Sequence, residues 1–409
     1  MAGLELAIRA AMTGLGASLL ETLLGADRGH RGPRIACAHG HQARFVSYRG
    51  KTVDTVLGSI EISRAYYHCP RCHGGLAPRD GELGVTDTSI TPGLQAMIDR
   101  VAACVPFAKA AGLLAGLAGI TVTTKRVERA AEADGATLQE RIVAESDAIA
   151  DGWLTPLPPA VAPKRLYIAV DGTGIPATAA ETSGRAGKYP DGRARTREVK
   201  LGVIFTQTGL DDKGRPIRDP DSSSYTATLE AAAAFGRLIY AEARRRGSTQ
   251  AGRLVMLGDG APWIWNLAAL HFPNATEIVD LFHAREHLHD LAALAAPALG
   301  DNHDDWLKAR LTELDTGDID AITTAARDLP TDKNTAEALD KALNYFHTNR
   351  KRMRYAQFRA QGLFVGSGVI EAGCRAVIGQ RMKLSGMRWS LPGATGIATL
   401  RCHDASNAA

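Results

Sequence analysis

Apolar and polar residues follow a helical period at the start of the chain and a strand period directly after it. Over residues 1–30 apolar side chains recur every three or four positions, which predicts an N-terminal helix. Residues 43–48 and 59–67 alternate between apolar and polar side chains, and Leu57-Gly58 between them indicates a turn. The pattern therefore predicts a helix followed by a small β domain built on a hairpin.

Helical spacing returns over residues 92–135, where two helices flank a short turn at Ala118-Gly119-Ile120. Such a pair fits a helix-turn-helix, in which the first residues of the second helix read bases in the major groove. An ordinary helical hairpin with a charged outer face fits equally well. Gly135 and Gly152 are expected to punctuate a further helix. The candidate base-reading residues are Thr124, Lys125, Arg126 and Arg129.

The proline-rich stretch 153–163 predicts a semi-rigid linker, and we place the main domain boundary there. Beyond it, short apolar runs alternate with helical stretches in the order three strands, helix, strand, helix, strand. This order predicts an α/β sheet of the RNase H-like type. The predicted strands are 166–170, 199–207, 224–228, 254–257 and 277–282.

These patterns together predict a multidomain chain. The predicted parts are an N-terminal helix (1–30), a zinc-ribbon-like β domain (31–84), a helical, helix-turn-helix-like DNA-binding domain (85–152), the linker (153–163), the first part of an RNase H-like core (164–287), an all-helical insertion (288–362) and the C-terminal part of the core with a third acidic residue (363–409).

Length and composition indicate a globular protein with more than one domain. The chain of 409 residues exceeds one ordinary core, and 45% apolar with 22% charged residues is usual for a globular protein. The apolar stretch Val101–Ile120 is interrupted by Pro106 and Lys109, and acidic residues in the first helix argue against a secretory signal. Six cysteines in so long a chain favour a reducing compartment. We therefore expect no membrane association and a cytoplasmic protein, located at the nucleoid.

Cysteine and histidine residues flank the predicted hairpin. Cys69-Pro70-Arg71-Cys72 is one ligand pair, and Cys37 with His39 is the preferred second pair, with His41 as a substitute for His39. Two such pairs on hairpins predict a tetrahedral Zn²⁺ site, which would stabilise a domain with a thin core. A redox or free-thiol pair with surface histidines is the alternative, although no strand–helix context of the thioredoxin type follows.

Three acidic residues form the candidate active site. Asp171 and Asp259 each follow a predicted buried strand, where ligands bind in α/β folds. Glu371 is predicted in the first turn of a helix capped by Ser367. Such carboxylates can hold two Mg²⁺ (or Mn²⁺) ions for displacement at phosphorus. Alternatively, the Asp-Gly pairs form turns and Glu371 pairs with Arg375 on a solvated helix face.

Further candidate residues lie near these acids in the sequence. His283 is predicted to assist the acids, whereas His287 is better explained by packing against a neighbouring helix. Cationic and aromatic residues on both sides of Glu371, and a basic loop after Asp171, are candidate phosphate contacts, with solvated charge as the alternative. The candidate DNA contacts are Arg185, Lys188, Arg381, Lys383, Arg388 and Trp389.

The motifs resemble those of the bacterial insertion-sequence transposases of the ISKra family, DDE enzymes with an RNase H-like core. The resemblance runs through most of the chain, although His39 stands where relatives more often carry a cysteine, and relatives tend to continue beyond 401–409 with an aromatic-rich tail. The matching blocks are 64–72, 170–174, 197–202, 258–265, 280–288 and 366–374.

The resemblance implies that Asp171, Asp259 and Glu371 form the catalytic triad and that His283 lies beside it. It implies a transposase that binds the terminal inverted repeats of its element and catalyses metal-dependent DNA cleavage and strand transfer into target DNA. Synapsis of two ends implies a homodimer or larger assembly on DNA. The alternatives are a non-catalytic DNA-binding repressor and an RNase H-like nuclease without strand transfer.

Overall fold

The computed structural model describes residues 1–187 and 189–407, without the side chain of Asn407. The chain forms two compact units, Met1–Asp134 and Gly135–Ala409, and each combines helices with a β-sheet. The protein is therefore a mixed α/β protein, as the sequence predicted. The division falls before residue 135, whereas the sequence placed the main boundary in the linker 153–163.

The first unit starts with a long helix and a β-sheet and ends in helices. Its elements are α1 (Ala2–Gly25), β1 (Arg34–Ala36), β2 (Gln42–Thr55), β3 (Gly58–His68), β4 (Gly75–Leu76), α2 (Pro78–Glu82), α3 (Pro92–Cys104), α4 (Phe107–Leu113) and the first part of α5 (Thr124–Ala150). The four strands pair in the order β1-β2-β3-β4 and are all antiparallel.

The hairpin of β2 and β3 is longer than the sequence predicted. Thr55 pairs with Gly58, so the two-residue turn is Val56-Leu57 rather than Leu57-Gly58. Gly58 has a φ of 110°, which a residue without a side chain adopts at little cost. Two separate apolar clusters lie along the hairpin, one around Tyr67 and Cys69 and the other around Val53, Ile60, Ile62 and Val85.

The helical part of the first unit has the predicted order of helix, glycine turn and helix. α4 continues into a π-helical turn, Leu114–Ala118, which ends at Gly119 with a φ of 74°. The stretch Val101–Ile120 is broken at Val105-Pro106, between α3 and α4. Among the described residues one helix, α1, is long and apolar enough to cross a membrane by length and composition alone, and none of its residues is buried.

Helix α5 contains the boundary between the units, because it continues through Gly135 to Ala150. The prediction that Gly135 separates two helices is wrong, because α5 is continuous from Thr124 to Ala150. A Cβ atom at Gly135 would lie 2.3 Å from the carbonyl oxygen of Gly396, so this glycine permits close backbone approach.

The second unit is built on a five-stranded mixed sheet with helices around it. Its strands are β5 (Arg165–Pro176), β6 (Thr196–Thr206), β7 (Gly209–Leu210), β8 (Pro216–Ile217), β9 (Ser224–Thr228), β10 (Arg253–Gly258) and β11 (Thr276–Val279). The sheet order is β11-β10-β5-β6-β9, and β7 pairs with β8 apart from it. β6 is antiparallel to β5 and β9, whereas β10 is parallel to β5 and β11.

The helices of the second unit connect and follow the strands of the sheet, and the segment predicted as a helical insertion is helical. They are α6 (Ala179–Thr182), α7 (Ala232–Arg245), α8 (Pro262–His271), α9 (Leu281–Leu299), α10 (His303–Thr316), α11 (Ile319–Arg327), α12 (Lys333–Asn349), α13 (Tyr355–Ala360), α14 (Gly368–Gly373), α15 (Gln380–Met382) and α16 (Leu391–Asn407). A π-helical segment, Cys374–Gly379, joins α14 to α15. The sheet core is buried, with Leu166–Val170 at most 1% exposed.

Candidate metal and nucleic-acid sites

Four thiol and imidazole side chains meet at the end of the β-sheet in the first unit. Cys37, His41, Cys69 and Cys72 each offer a ligand atom, and these atoms all lie within 4.8 Å of one another. Three sulfurs and one imidazole nitrogen are a donor set typical of structural Zn²⁺. The cluster can therefore hold one metal ion.

Local backbone turns bring these ligands together. The Cys37 N–H donates to the His41 carbonyl at 2.7 Å, and Gly40, with a φ of 74°, completes this turn. In the second pair, the Cys69 N–H donates to the Gly74 carbonyl at 2.9 Å. The backbone N–H of Cys72 lowers the pKa of Cys69 to about 6, which favours the thiolate that binds metal.

The structure corrects the choice between the two histidines. His39 is exposed and is not a member of the cluster, whereas the partly buried His41 is. Nδ1 of His41 is buried and has no hydrogen-bond partner among the described residues. A buried nitrogen in that state costs free energy unless a ligand or metal satisfies it, so His41 fits the fourth position.

The two aspartates predicted at strand ends lie side by side at two neighbouring central strands of the sheet in the second unit. Asp259 directly follows β10, as predicted, whereas β5 continues through Asp171, which pairs with Leu201 of β6, as far as Pro176. β5 and β10 are parallel neighbours with Ala169 paired to Leu257, and the aspartates follow each of these residues by two positions. Burial raises the pKa of Asp171, and the negative charge of Asp259 raises it further. Each carboxylate also accepts a nearby backbone N–H, from Gly172 to Asp171 and from Ala261 to Asp259.

Glu371 lies in the first turn of α14, as predicted, on the side of the sheet near Asp171. Cys374, which follows α14, has its Sγ 3.3 Å from Oδ2 of Asp171 and donates to it. A Cβ atom at Gly373 would lie 2.9 Å from the ring of Tyr225, so the glycine allows α14 to pack closely on the sheet. Ser367 does not cap the helix backbone; its hydroxyl donates to Oε1 of Glu371 at 2.7 Å.

Asp280 is completely buried beside these acids, and its importance was not predicted from the sequence. It accepts the backbone N–H of His283 at 2.8 Å, its Oδ1 lies 3.1 Å from His283 Nδ1, and it also accepts the backbone N–H of Ser367. Its own N–H donates to the Gly258 carbonyl at 2.8 Å. Burial alone would raise the pKa of Asp280, but the hydrogen bonds from His283 and Ser367 lower it.

Asp280 also determines the state of His283. The hydrogen bond to Asp280 raises the pKa of His283 to about 9, against the opposing effect of burial. With Nδ1 facing Asp280, the Nε2 atom is the nitrogen left for other groups. The electrostatic effects of Asp259 on His283 and of His283 on Asp171 show that the predicted helper histidine lies near both aspartates.

The tightest acidic grouping is not the predicted triad. Asp280, His283 and Glu371 offer ligand atoms within 4.8 Å of one another, whereas Asp171, Asp259 and Glu371 together form no such group in the described chain. Asp280 already accepts hydrogen bonds at both oxygens, so it orients its neighbours. The exposed side chain of Glu371 is bonded to Ser367 in this arrangement.

The helical segment between β11 and α14 reaches the candidate site through Tyr345 of α12. Its hydroxyl donates to the Asp259 carbonyl at 3.0 Å, and its ring stacks on His287 with 3.7 Å between centroids. Gly260 has a φ of 99°, and a Cβ atom there would lie 2.6 Å from the Tyr345 ring. His287 therefore packs against a neighbouring helix, as the sequence suggested.

Three of the predicted DNA-contacting cations line one open groove of the second unit. Arg185 comes from the loop after α6, Lys383 and Arg388 come from the segment after α15, and all three are exposed. The ammonium of Lys383 donates to the hydroxyl of Thr173, two residues after Asp171 on β5. Lys383 therefore links the groove to the strand that carries Asp171. Lys188, also predicted to contact DNA, lies outside the described residues.

Two other predicted DNA contacts are inside the fold. The Arg381 side chain is 0% exposed and lies over the Trp389 ring, 5.2 Å from its centroid. The indole N–H of Trp389, itself 6% exposed, donates to the Met382 carbonyl at 2.9 Å. Arg381 and Trp389 therefore stabilise the segment after α14 and do not present a surface for direct DNA contact.

The predicted base-reading residues at the start of α5 fall into two groups. Thr124, Lys125 and Arg129 are exposed. Arg126 is only partly exposed, because it forms an ion pair with Asp54 at 2.5 Å and donates to the Ser89 hydroxyl at 2.8 Å. Arg126 therefore attaches the helix to the β2 strand end and is the least available of the four for DNA.

No protein-family model matches the chain, and no curated protein matches it.

Proposed function

We propose that the protein is a DDE-type DNA transposase that cleaves the ends of its element and joins them to target DNA. The main support is that three chain segments meet at the carboxyl end of β10 and the adjoining part of β5. Asp171 and Asp259 follow paired positions on β5 and β10, and the helix of Glu371 is attached to Asp171 through Cys374. Acidic residues grouped in this way suit metal-dependent displacement at phosphorus.

The sheet supports this proposal. Numbered along the chain, its five strands stand in the order fifth, fourth, first, second, third, with the second antiparallel to the others. This is the arrangement expected of an RNase H-like core, the fold implied by the resemblance to ISKra-family transposases. The helices between β11 and α14 correspond to the expected insertion.

The donor set fits hard divalent cations. Mg²⁺ and Mn²⁺ prefer carboxylate oxygens as ligands, and Asp171, Asp259 and Glu371 supply such oxygens. The three side chains would bind the ions jointly. Bound Mg²⁺ would supply Lewis-acid activation of the attacking oxygen and stabilisation of the leaving oxygen. The exposed Glu371 side chain would exchange its hydrogen bond with Ser367 for a position as a metal ligand.

The surrounding residues would orient the acids and the DNA. Asp280 holds His283 and the start of α14, and the imidazole Nε2 of His283 can donate to a phosphate oxygen or to the attacking group. Arg185, Lys383 and Arg388 would neutralise phosphates along the groove beside Thr173. These contacts are independent of base sequence.

The first unit would bind the element ends. Its Cys₃His cluster would hold structural Zn²⁺, and Thr124, Lys125 and Arg129 at the exposed start of α5 would contact the terminal inverted repeats as part of a helix-turn-helix. Two chains or more would act together, because a pair of ends must be joined to one target.

The test incubates the zinc-loaded full chain with labelled element ends, Mg²⁺ and a target plasmid. A transposase gives end cleavage and covalently joined products. Glu371→Gln should bind the ends with unchanged affinity and yield neither product. Nicks without joining would assign a nuclease, and a shifted band without cleavage would assign a DNA-binding protein; either result would contradict the proposal.

A further inference from the structure

Helix α1 has one face that packs on its own unit. Ala17, Leu20 and Leu24 pack against the apolar cluster of β2 and β3, and the backbone N–H of Glu61 donates to the Glu21 carboxylate at 3.0 Å. Near the other end, the Arg9 guanidinium donates to the Leu117 carbonyl at 3.0 Å. These contacts fix which side of the helix faces outward.

The outward face of α1 is a continuous apolar stripe. At 3.6 residues per turn its members lie within about a third of the helix circumference, roughly opposite Ala17 and Leu24. Their exposed fractions range from 56% to 63%. A helix that is apolar on both faces normally has both faces buried against other parts of a protein or against a membrane. The stripe consists of Leu4, Ile8, Met12, Leu15, Leu19 and Leu23.

The spacing of the stripe points to its partner. The intervals between its members are four, four, three, four and four residues, which keep all six side chains on one face of a straight α-helix. The series reads the same in both directions. Two copies of α1 related by a two-fold axis and running antiparallel would therefore place Leu4 opposite Leu23, Ile8 opposite Leu19, and Met12 opposite Leu15. The polar Glu5 and Thr22 lie at the margins of the same arc and would face each other across the pair.

We propose that α1 is the interface with a second copy of this chain, in an antiparallel helix pair centred between Met12 and Leu15. The antiparallel direction sets Glu5 of each copy far from Glu5 of the other, and it brings opposite ends of the helix dipoles together. Six side chains that are more than half exposed supply several hundred Å² per chain, near the scale of about 800 Å² per partner in stable complexes.

The contacts of the inner face argue against the alternative occupant, a lipid bilayer. Crossing a membrane would require α1 to leave the β2–β3 cluster and break the bonds of Glu21 and Arg9. Pairing with a second copy leaves all of them in place. The proposal does not depend on the proposed catalytic function, since it concerns a dimer formed without DNA.

The first test measures molar mass by light scattering for the zinc-loaded full chain in the absence of DNA. The wild type should be a dimer. Leu15→Asp/Leu19→Asp should raise the dimer dissociation constant by roughly 100-fold or more, because two buried contacts are lost and charges replace them. Leu6→Asp is the matched control, since Leu6 is 57% exposed on the same helix but lies off the stripe. A monomeric wild type, or wild type that instead sediments with phosphatidylcholine vesicles, would overturn the proposal.

The second test determines the direction of the pair and does not depend on how the aspartate variants fold. Leu4→Cys/Leu23→Cys should cross-link two chains under mild oxidation, above the level of the wild type. Neither single variant should do so, because position 4 faces position 23 of the other copy. Within one chain these positions are about 28 Å apart along the helix, too far to bridge. Cross-linking by each single variant would show a parallel pair, and no cross-linking at all would overturn the interface.

Discussion

Asp280 accepts the backbone N–H of Ser367, the residue directly before the helix that carries Glu371. The same buried carboxylate contacts His283, and its backbone donates to Gly258, the neighbour of Asp259. One side chain thus connects the segments of two candidate metal ligands and the candidate helper histidine. Mutation of side chains that orient metal ligands in this way typically costs about 10- to 100-fold in metal affinity or activity.

Asp280→Asn should lower Mg²⁺-dependent end cleavage by about 10- to 100-fold while leaving end binding intact. The amide cannot accept at both oxygen positions, so either His283 or Ser367 loses its partner. Cleavage rates measured over a range of Mn²⁺ concentrations give the loss of metal affinity. Asp290→Asn, an exposed position on the same helix, is the control. Equal cleavage rates for Asp280→Asn and Asp290→Asn would show that Asp280 does not orient the metal ligands.

His41→Ala should lower the zinc content well below one ion per chain and destabilise the β-sheet of the first unit, because structural zinc contributes folding free energy. His39→Ala should retain about one zinc ion per chain, since His39 is exposed and outside the cluster. Metal analysis and thermal unfolding of the purified variants check this. Loss of zinc in His39→Ala and its retention in His41→Ala would instead support Cys37, His39, Cys69 and Cys72 as the ligands.

Arg185→Ala and Arg388→Ala should each weaken DNA binding by a similar factor for any sequence and reduce the slope of log affinity against log salt by about 1. Both line the groove beside Thr173. Arg327→Ala, which removes an exposed arginine of α11, should leave the slope unchanged. Titrations of labelled duplex at several salt concentrations provide the slopes. An unchanged slope for both groove variants would show that DNA does not bind in this groove.

Asp99 predicts a pH dependence of stability in the first unit. Burial, followed by the charge of Asp134, raises the pKa of Asp99 from 3.8 to about 8. The folded state therefore holds a proton that the unfolded state releases, and the stabilisation present below pH 4 is lost as the pH rises towards 8. Asp99→Asn should thus gain stability relative to the wild type at pH 8.5 and not at pH 4. Asp87→Asn, at an exposed position, is the control in denaturant titrations.

Sequence patterns predicted the elements that depend on local signals. The buried runs before Asp171 and Asp259 belong to strands, and Glu371 lies in the first turn of a helix, because glycine and apolar spacing determine these elements locally. The ligand turn was less predictable. His39 and His41 differ by two positions, and the left-handed Gly40 brings the second of them, rather than the first, to the cysteines.

Other features depend on contacts between distant residues. The sequence around Asp280 is typical of a helix N-cap, and Asp280 does cap α9. Its hydrogen bond with Ser367 joins residues far apart in the sequence, so it is visible only in the folded chain. Arg381 and Trp389 have the composition of a nucleic-acid surface, yet the guanidinium packs on the indole inside the fold. Composition indicates that a cation and an aromatic ring are near each other, but not whether solvent reaches them.

In the proposed active site, Asp171, Asp259 and Glu371 converge on shared divalent ions. Fe²⁺ can replace Mg²⁺ at oxygen ligands, and with ascorbate and peroxide it cuts the polypeptide close to where it is bound. For the zinc-loaded protein we predict cuts near residues 171, 259 and 371 together, with all three lost in Asp171→Asn and competed by Mn²⁺. Cuts near 171 and 259 without any near 371, or cuts near 371 that survive in Asp171→Asn, would contradict the account.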